Sequence, residues 1–415
     1  MEHNFSKTIT KSGAPLWTLS SSNYNSVSIG VLVKGGTRDE IIPKEAGIAH
    51  ALEHMHFQGT ENFPNSLKIS EYIEEVGGEI NAWTSDEKTF YFARVPSEYA
   101  ERAVQIVSEQ IEKSIIPAEK IPIEMKNVIQ EINRRNDNPR SYLWKIVSDF
   151  IYKGHPLSKD TLGSKESVSA FRRDDFLNFK RRYYNPANYT FIAVGDISEA
   201  RARELFDKYF VEHPNSQPNI RRRETLPVQA EKQFIERKEL DQLHVGLDAI
   251  VGSGMDKSSL YLEFFSKMIS GGMSFPLFQE VRDKRGLCYS INSSISRESD
   301  FGSFDIYIGT DPKRYKEAIG ATLEVIDKSK TNEELLNKVK RLSIGRLLLA
   351  YEHTGNIIMK AERDITYLGY PRGFEETKKE IEEVTIDNIK QAVDQYLKPE
   401  QILTVLLAPK DFVAD

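Results

Sequence analysis

The chain of 415 residues contains a single cysteine, Cys288. No intrachain disulfide can form, and a metal site built on thiolates is excluded. No stretch approaches the roughly 18 consecutive apolar residues that a membrane-spanning helix needs. The opening stretch, MEHNFSKTITKSGAPLWTLS, shows neither the charged-then-apolar pattern of a secretory leader nor the Arg-rich, acid-poor character of an import leader. The expected compartment is therefore the cytoplasm. A surplus of positive charge is missing as well. Against 56 basic residues stand 62 acidic ones, a net charge of −6 that argues against nucleic acid as the main partner. The basic triplet at 221–223 is too short to reverse this and reads as a solvated patch. What is present is the balance of a water-soluble globular protein, long enough for two or three separate cores.

Histidine is scarce too, yet three of the eight, His50, His54 and His56, lie within GIAHALEHMHFQGT at 47–60. Ala46, Ile48, Ala49, Ala51, Leu52 and Met55 suit a helix, with Gly59 as its expected stop. On a helix His50 and His54 stack on one face, and Glu53 stands beside them. Histidines on an apolar helix are commonly satisfied core residues. Here a carboxylate accompanies the pair, and burying it unpaired would be costly. A cation that uses these groups is the cheaper explanation. The pattern H-x-x-E-H is the reverse of the H-E-x-x-H zinc-protease motif.

The order of elements repeats. Residues 25–34 alternate as a strand before Gly35-Gly36, and 242–250 do the same before Gly252. Helical segments at 66–76 and 274–285 each close on glycine, and each precedes a strand pair: 79–83 with 89–95, then 287–294 with 302–309. Helices at 97–114 and 314–328 follow. A late helix and a final strand end each half, 174–184 with 188–194 and 386–397 with 401–407. The expected fold is α+β: two homologous domains from an internal duplication, each a mostly antiparallel sheet covered by helices. The expected boundaries are 1–212 and 228–415, with the proline-rich run 213–227 as linker. The second half lacks H-x-x-E-H, reading SLYLEFFSKMISGG in that region. Metal chemistry therefore belongs to the first half.

A catalytic zinc takes three protein ligands and leaves one position open. With thiolates excluded, the third ligand is a histidine or a carboxylate. Residues 118–136 read as a helix with Ile121, Met125, Val128, Ile129 and Ile132 as its core stripe, and Glu124 and Glu131 align along the stripe's edge. Glu131 is thus a candidate, although such a glutamate standing alone is ordinarily a solvated surface residue.

The H-x-x-E-H stretch, GGEINAWTSDEKTFYFARVP, the helix bearing Glu124 and Glu131, and SFPLFQEVRDKRGLCYS together resemble the pitrilysin–insulinase family of zinc metallopeptidases. The resemblance covers almost the whole chain and is to the family's short, two-domain type. It implies one Zn2+ per chain on His50, His54 and Glu131, with Glu124 supporting the site. It implies that Glu53, beside the metal but not a ligand, acts as general base in zinc-dependent peptide hydrolysis. Arg282 and Tyr289 resemble the family's substrate-holding pair, suited to developing oxyanion charge. Asn81 matches a substrate-contacting asparagine, and with Ala82 it lies on a segment, 81–84, able to take a peptide as an added strand. Aligning Gly78 with Gly286 places Asn81 opposite Tyr289. His56 stands where the family more often has an apolar residue, with no evident consequence. One chain carrying both motif sets implies a homodimer in which each chain lends Arg282 and Tyr289 to the other's zinc. The expected partner is a short or unfolded peptide, with neither nucleic acid nor membrane. Two other readings remain: a non-catalytic peptide-binding subunit, which has no need of Glu53, and a structural metal protein. The latter needs a fourth ligand, for which His56 is poorly placed.

Overall fold

Strand β3 (Ser26–Val33), SVSIGVLV, is buried on both faces, and its small and β-branched residues suit the middle of a covered sheet. Around it lie β1 (Ser6–Ile9), β2 (Pro15–Ser20), β4 (Glu79–Thr84), β5 (Thr89–Pro96) and β6 (Tyr189–Gly195). The computed structural model describes residues 4–213, 216–220, 226 and 231–413, and the expected linker 213–227 falls largely outside them. The first sheet runs β1-β2-β6-β3-β5-β4, antiparallel except for the β2–β6 pair. The second contains β7 (Gln233–Lys238), β8 (Leu243–Val251), β9 (Ser290–Arg297), β10 (Gly302–Thr310) and β11 (Leu403–Pro409). Its order is β7-β11-β8-β10-β9, antiparallel except for β7–β11. Apart from the extra β1, the two orders match strand for strand. The fold is α+β, with the duplication visible in the topology.

In the first half of the chain the helices are α1 (Ile48–His56), α2 (Ser66–Glu74), α3 (Ala100–Glu112), α4 (Ile121–Asp137), α5 (Pro139–Ile151), α6 (Lys165–Ala170), α7 (Arg173–Tyr183) and α8 (Glu199–Tyr209). In the second they are α9 (Lys257–Ser270), α10 (Tyr315–Ser329), α11 (Glu333–Ala350), α12 (Thr354–Leu368), α13 (Phe374–Glu383) and α14 (Ile386–Tyr396), with a π-helical segment at Leu277–Lys284. Among the described residues no helix is long and apolar enough to cross a membrane. The main core lies between the first sheet and α1, α3, α4 and α7, where Val27, Ile29, Val31 and Val33 meet Leu52, Met55, Val104 and Phe179.

The chain does not divide into the contiguous domains 1–212 and 228–415. Among the described residues, one compact unit is drawn from 1–134, 159–222 and 347–377, and the other from 135–158, 223–346 and 378–415. Helix α5 from the first half packs on β8 and β11, and α12 from the second packs on β3 and β6. The amphipathic pattern of a helix fixes that one face is buried, not which sheet buries it, so the exchange is silent in the sequence.

Each exchanged helix sits over a glycine in the central strand. A Cβ at Gly30 would come within 3.0 Å of Ile358 on α12, and one at Gly246 within 2.9 Å of Val147 on α5. Matching these two glycines fixes the register between the halves. Gly30 pairs with Phe92 and Phe92 with Asn81, while Gly246 pairs with Tyr307 and Tyr307 with Asn292. The counterpart of Asn81 is therefore Asn292, not Tyr289. The connection from the helix-ending glycine is longer in the second half, so glycine was a poor fixed point.

Candidate metal centre

Helix α1 begins at Gly47, whose φ of 87° and contact with Leu162 leave no room for a side chain. Its first amide groups are satisfied from upstream. Glu40 Oε2 accepts the Gly47 N–H at 2.9 Å, and Oε1 accepts that of Ala49 at 3.1 Å. Burial pushes the Glu40 carboxyl up to about 8, against the pull of these two amides. Ile48, Ala49, Ala51, Leu52 and Met55 are fully buried and lock the helix against the sheet. The helix ends at Phe57 rather than at Gly59, which instead packs closely against Pro64.

The locked helix presents His50 and His54 with ring centroids 4.6 Å apart. Glu131 on α4 reaches both: Oε2 lies 3.5 Å from His50 Nε2, and Oε1 lies 3.6 Å from His54 Nε2. One ligand atom from each of the three residues lies within 4.8 Å of the others. A tetrahedral zinc with bonds of about 2.0–2.2 Å holds its ligand atoms roughly 3.3–3.5 Å apart, so the spacing fits with little adjustment. The chemistry of the donors fits too. Burial, with the charge of His54 added, pushes His50 down to about 3, leaving a neutral imidazole with a lone pair to give.

Glu124, one helical turn-pair before Glu131, lies on the other side of His54, its Oε2 3.6 Å from Nδ1. Burial alone would lower the His54 pKa, but Glu124, Glu131 and Glu53 outweigh it and leave it raised. In return the imidazole, with the Asn127 amide, holds Glu124 below the usual carboxylate range. A carboxylate behind a ligating histidine fixes the ring's orientation and tautomer. Glu53 is buried, and burial raises its carboxyl against the hydroxyl of Thr84, which donates to Oε2 at 2.5 Å.

The remaining sequence-predicted residues are placed as follows. Ala82 is buried and Asn81 is exposed, its Oδ1 accepting the Ala82 N–H at 2.9 Å. Both lie on β4, the end strand of its sheet, which among the described strands pairs only with β5. Trp83 packs edge-on against Phe90 and under Lys88, as part of the sheet's packing. Arg282 sits on the π-helical segment with its guanidinium over Phe278, and Tyr289, 60 % exposed, just precedes β9.

Three contributors escaped the sequence reading. Glu40 caps α1 from outside the motif, and no spacing rule marks it. Thr84 shares a strand face with the inward Ala82, so the period-two pattern carried the signal. His56 is fully buried, with Nδ1 2.8 Å from the Tyr91 hydroxyl, which is 2.9 Å from that of Tyr184. That departure from an apolar residue has a consequence: a polar tie between α1 and the sheet.

Comparison with known proteins bears on the family and the fold. Residues 17–165 match the model for insulinase (peptidase family M16), and 170–343 match that for the peptidase M16 inactive domain. A protein of Rickettsia felis named as an uncharacterized zinc protease is 32 % identical, over 85 % of this chain and 85 % of that protein. The uncharacterized zinc protease YmxG of Bacillus subtilis is 28 % identical, over 92 % of this chain and 93 % of its own length. The crystal structure of a protease from Helicobacter pylori superposes with a TM-score of 0.87 at 23 % identity, covering 99 % of this chain and 100 % of that one. A peptidase M16 inactive domain from Pseudomonas fluorescens gives 0.87 at 18 % identity, covering 98 % of each chain. At these identities the two structures establish the shared fold. Through its relatives and its architecture, the chain belongs to the insulinase family of peptidases, family M16, as a member of the short two-domain type.

Proposed function

We propose that the protein is a zinc-dependent endopeptidase acting on short or unfolded polypeptides, with His50, His54 and Glu131 holding one Zn2+ per chain. The observation that carries this reading is the spacing of the two Nε2 atoms and the Glu131 carboxylate, with Glu53 on the same helix as the histidines. A zinc ion so held supplies a water of pKa about 7 and a Lewis-acid contact for the scissile carbonyl. Glu53 takes the proton of the attacking water and returns it to the leaving amine. Glu124 keeps the His54 ring oriented. The free edge of β4 pairs with the peptide backbone at Asn81 and Ala82, so binding tolerates many sequences. Arg282 and Tyr289 offer a cation and a phenol O–H to the developing oxyanion. The functional assembly is a homodimer, which light scattering tests; an active monomer would contradict it.

The experiment is digestion of a mixed peptide library with and without chelator, alongside metal analysis. The unaltered protein should cut only when metal is present. Glu53→Gln should keep its zinc and lose about 10²- to 10⁴-fold in rate. The second reading, a non-catalytic peptide-binding subunit, draws on the 170–343 match to an inactive domain. It predicts that neither protein cuts, whatever the metal content.

A further inference from the structure

The shortest polar contact in the centre is the one from Thr84 to Glu53, and no step of the proposed reaction uses Thr84. Its Oγ1 donates to Glu53 Oε2 at 2.5 Å, a length typical of a hydroxyl bonded to an ionised carboxylate. The two residues come from different elements, the last position of β4 and the sixth of α1. Their meeting is held from both sides by one short segment, residues 37–40.

On the strand side, that segment grips the β4–β5 turn. The Thr37 N–H donates to Ser85 O at 3.1 Å and the Arg38 N–H to Asp86 O at 2.9 Å. The Thr37 hydroxyl donates to Asp86 Oδ1 at 3.0 Å. Arg38 pairs with Glu87 at 2.7 Å, both side chains being almost inaccessible. Lys88, closing the turn, is paired with Glu362 on α12. On the helix side, the same segment ends in Glu40, which holds the first amides of α1. The donor and the carboxylate it grips are thus fixed to a common support.

We propose that Thr84 is a positioning residue for Glu53: its hydroxyl occupies Oε2 and turns Oε1 toward the water whose proton Glu53 removes. The inference rests on Glu53 being the general base. Because Thr84 also ends the strand whose free edge takes the peptide, substrate seating and orientation of the base depend on one element. A charge-assisted bond of this kind is worth about 10- to 100-fold in rate when it acts on a group that works in the transition state.

The test compares Thr84→Val, Thr84→Ser and Glu53→Gln in the zinc-loaded full-length protein, with one quenched-fluorescence peptide taken from the library cuts. For Thr84→Val, kcat should fall about 10- to 100-fold with KM and zinc content unchanged, and Thr84→Ser should restore most of it. A crystal structure of zinc-loaded Thr84→Val should show the Glu53 carboxylate rotated or in more than one orientation, a readout independent of turnover. Full kcat in Thr84→Val with an inactive Glu53→Gln would overturn the inference and leave the proposed function standing. Equal losses in the Val and Ser variants, or lost zinc, would also overturn it, since packing or metal retention would then be the role. An active Glu53→Gln would instead remove the general-base reading itself.

Discussion

The two halves of the molecule share a scaffold and differ in where they bury charge. With Gly30 matched to Gly246, the pair Leu32–Phe90 in the first sheet corresponds to Asp248–Asp305 in the second. The first pair is apolar and lies on the face covered by α12. The second is a pair of buried carboxyls set against one another. The helices reverse the contrast. Helix α12 is fastened to the sheet's β4–β5 turn by a buried ion pair, Glu362 with Lys88, while its Asp364 pairs with Lys360 on the same helix and with Arg372 just beyond it. Helix α5 is fastened by Leu143, Ile146, Val147 and Phe150 against Val405 and Leu407. The same contrast recurs at the metal centre: α1 carries the paired His50 and His54 with Glu53, whereas α9 at the corresponding place has no histidine. A duplicated scaffold keeps its backbone geometry and leaves charged groups free to be placed differently in each copy.

That comparison breaks most sharply at Glu362. Glu362→Ala leaves the Lys88 ammonium buried without its carboxylate and should cost about 3–5 kcal/mol, read as a lowered denaturation midpoint. A loss below 1 kcal/mol would mean that α12 is held without help from this ion pair. The two glycines sharpen the comparison. A Cβ at Gly30 would approach Phe90 to 2.4 Å and Ile358 to 3.0 Å, whereas one at Gly246 meets only Val147 closer than 3.0 Å. Gly30→Ala should therefore destabilise by about 1–3 kcal/mol, and Gly246→Ala by less. Equal effects would show that the Phe90 ring beside Gly30 gives way as readily as Val147 does beside Gly246.

The smallest effect is a gain. Burial, and then the neighbouring carboxyl, raises the Asp248 pKa well above its usual value. A carboxyl raised on folding favours the folded state when protonated. Its contribution is complete below the unfolded pKa of about 3.9 and is lost as pH climbs through the folded value. Asp248→Asn removes that loss and supplies an N–H to Asp305. It should raise the melting temperature at pH 7 by about 2–4 °C, with little change at pH 3. A uniform shift at both pH values would exclude titration as the cause.

How much of this was legible beforehand depended on whether the signal was local. The helix carrying His50, Glu53 and His54 was readable because helical spacing brings its ligands together without help from the rest of the fold. The duplication was readable because glycines punctuate equivalent helices and strands. The exchange of α5 and α12 was not, because a buried stripe does not name its partner sheet. The match of Asn81 to Tyr289 failed for a related reason: the stretch after Gly286 is longer than that after Gly78, and only hydrogen-bond register reveals it. The strands β1, β2 and β7, short or half-exposed, carry too weak an alternation to stand out. Thr84 and Glu40 act on partners 31 and 7 residues away in other elements; the strand pattern puts Thr84 on the face of Ala82 without saying that this face meets Glu53.

The central claim is that the first half, and it alone, holds a metal. Anomalous diffraction at the zinc edge, on crystals of the full-length protein equilibrated with zinc, tests it directly. The account predicts one peak per chain, about 2.0–2.2 Å from His50 Nε2, His54 Nε2 and a Glu131 oxygen. No peak there, or an equal one in the second half, would contradict it.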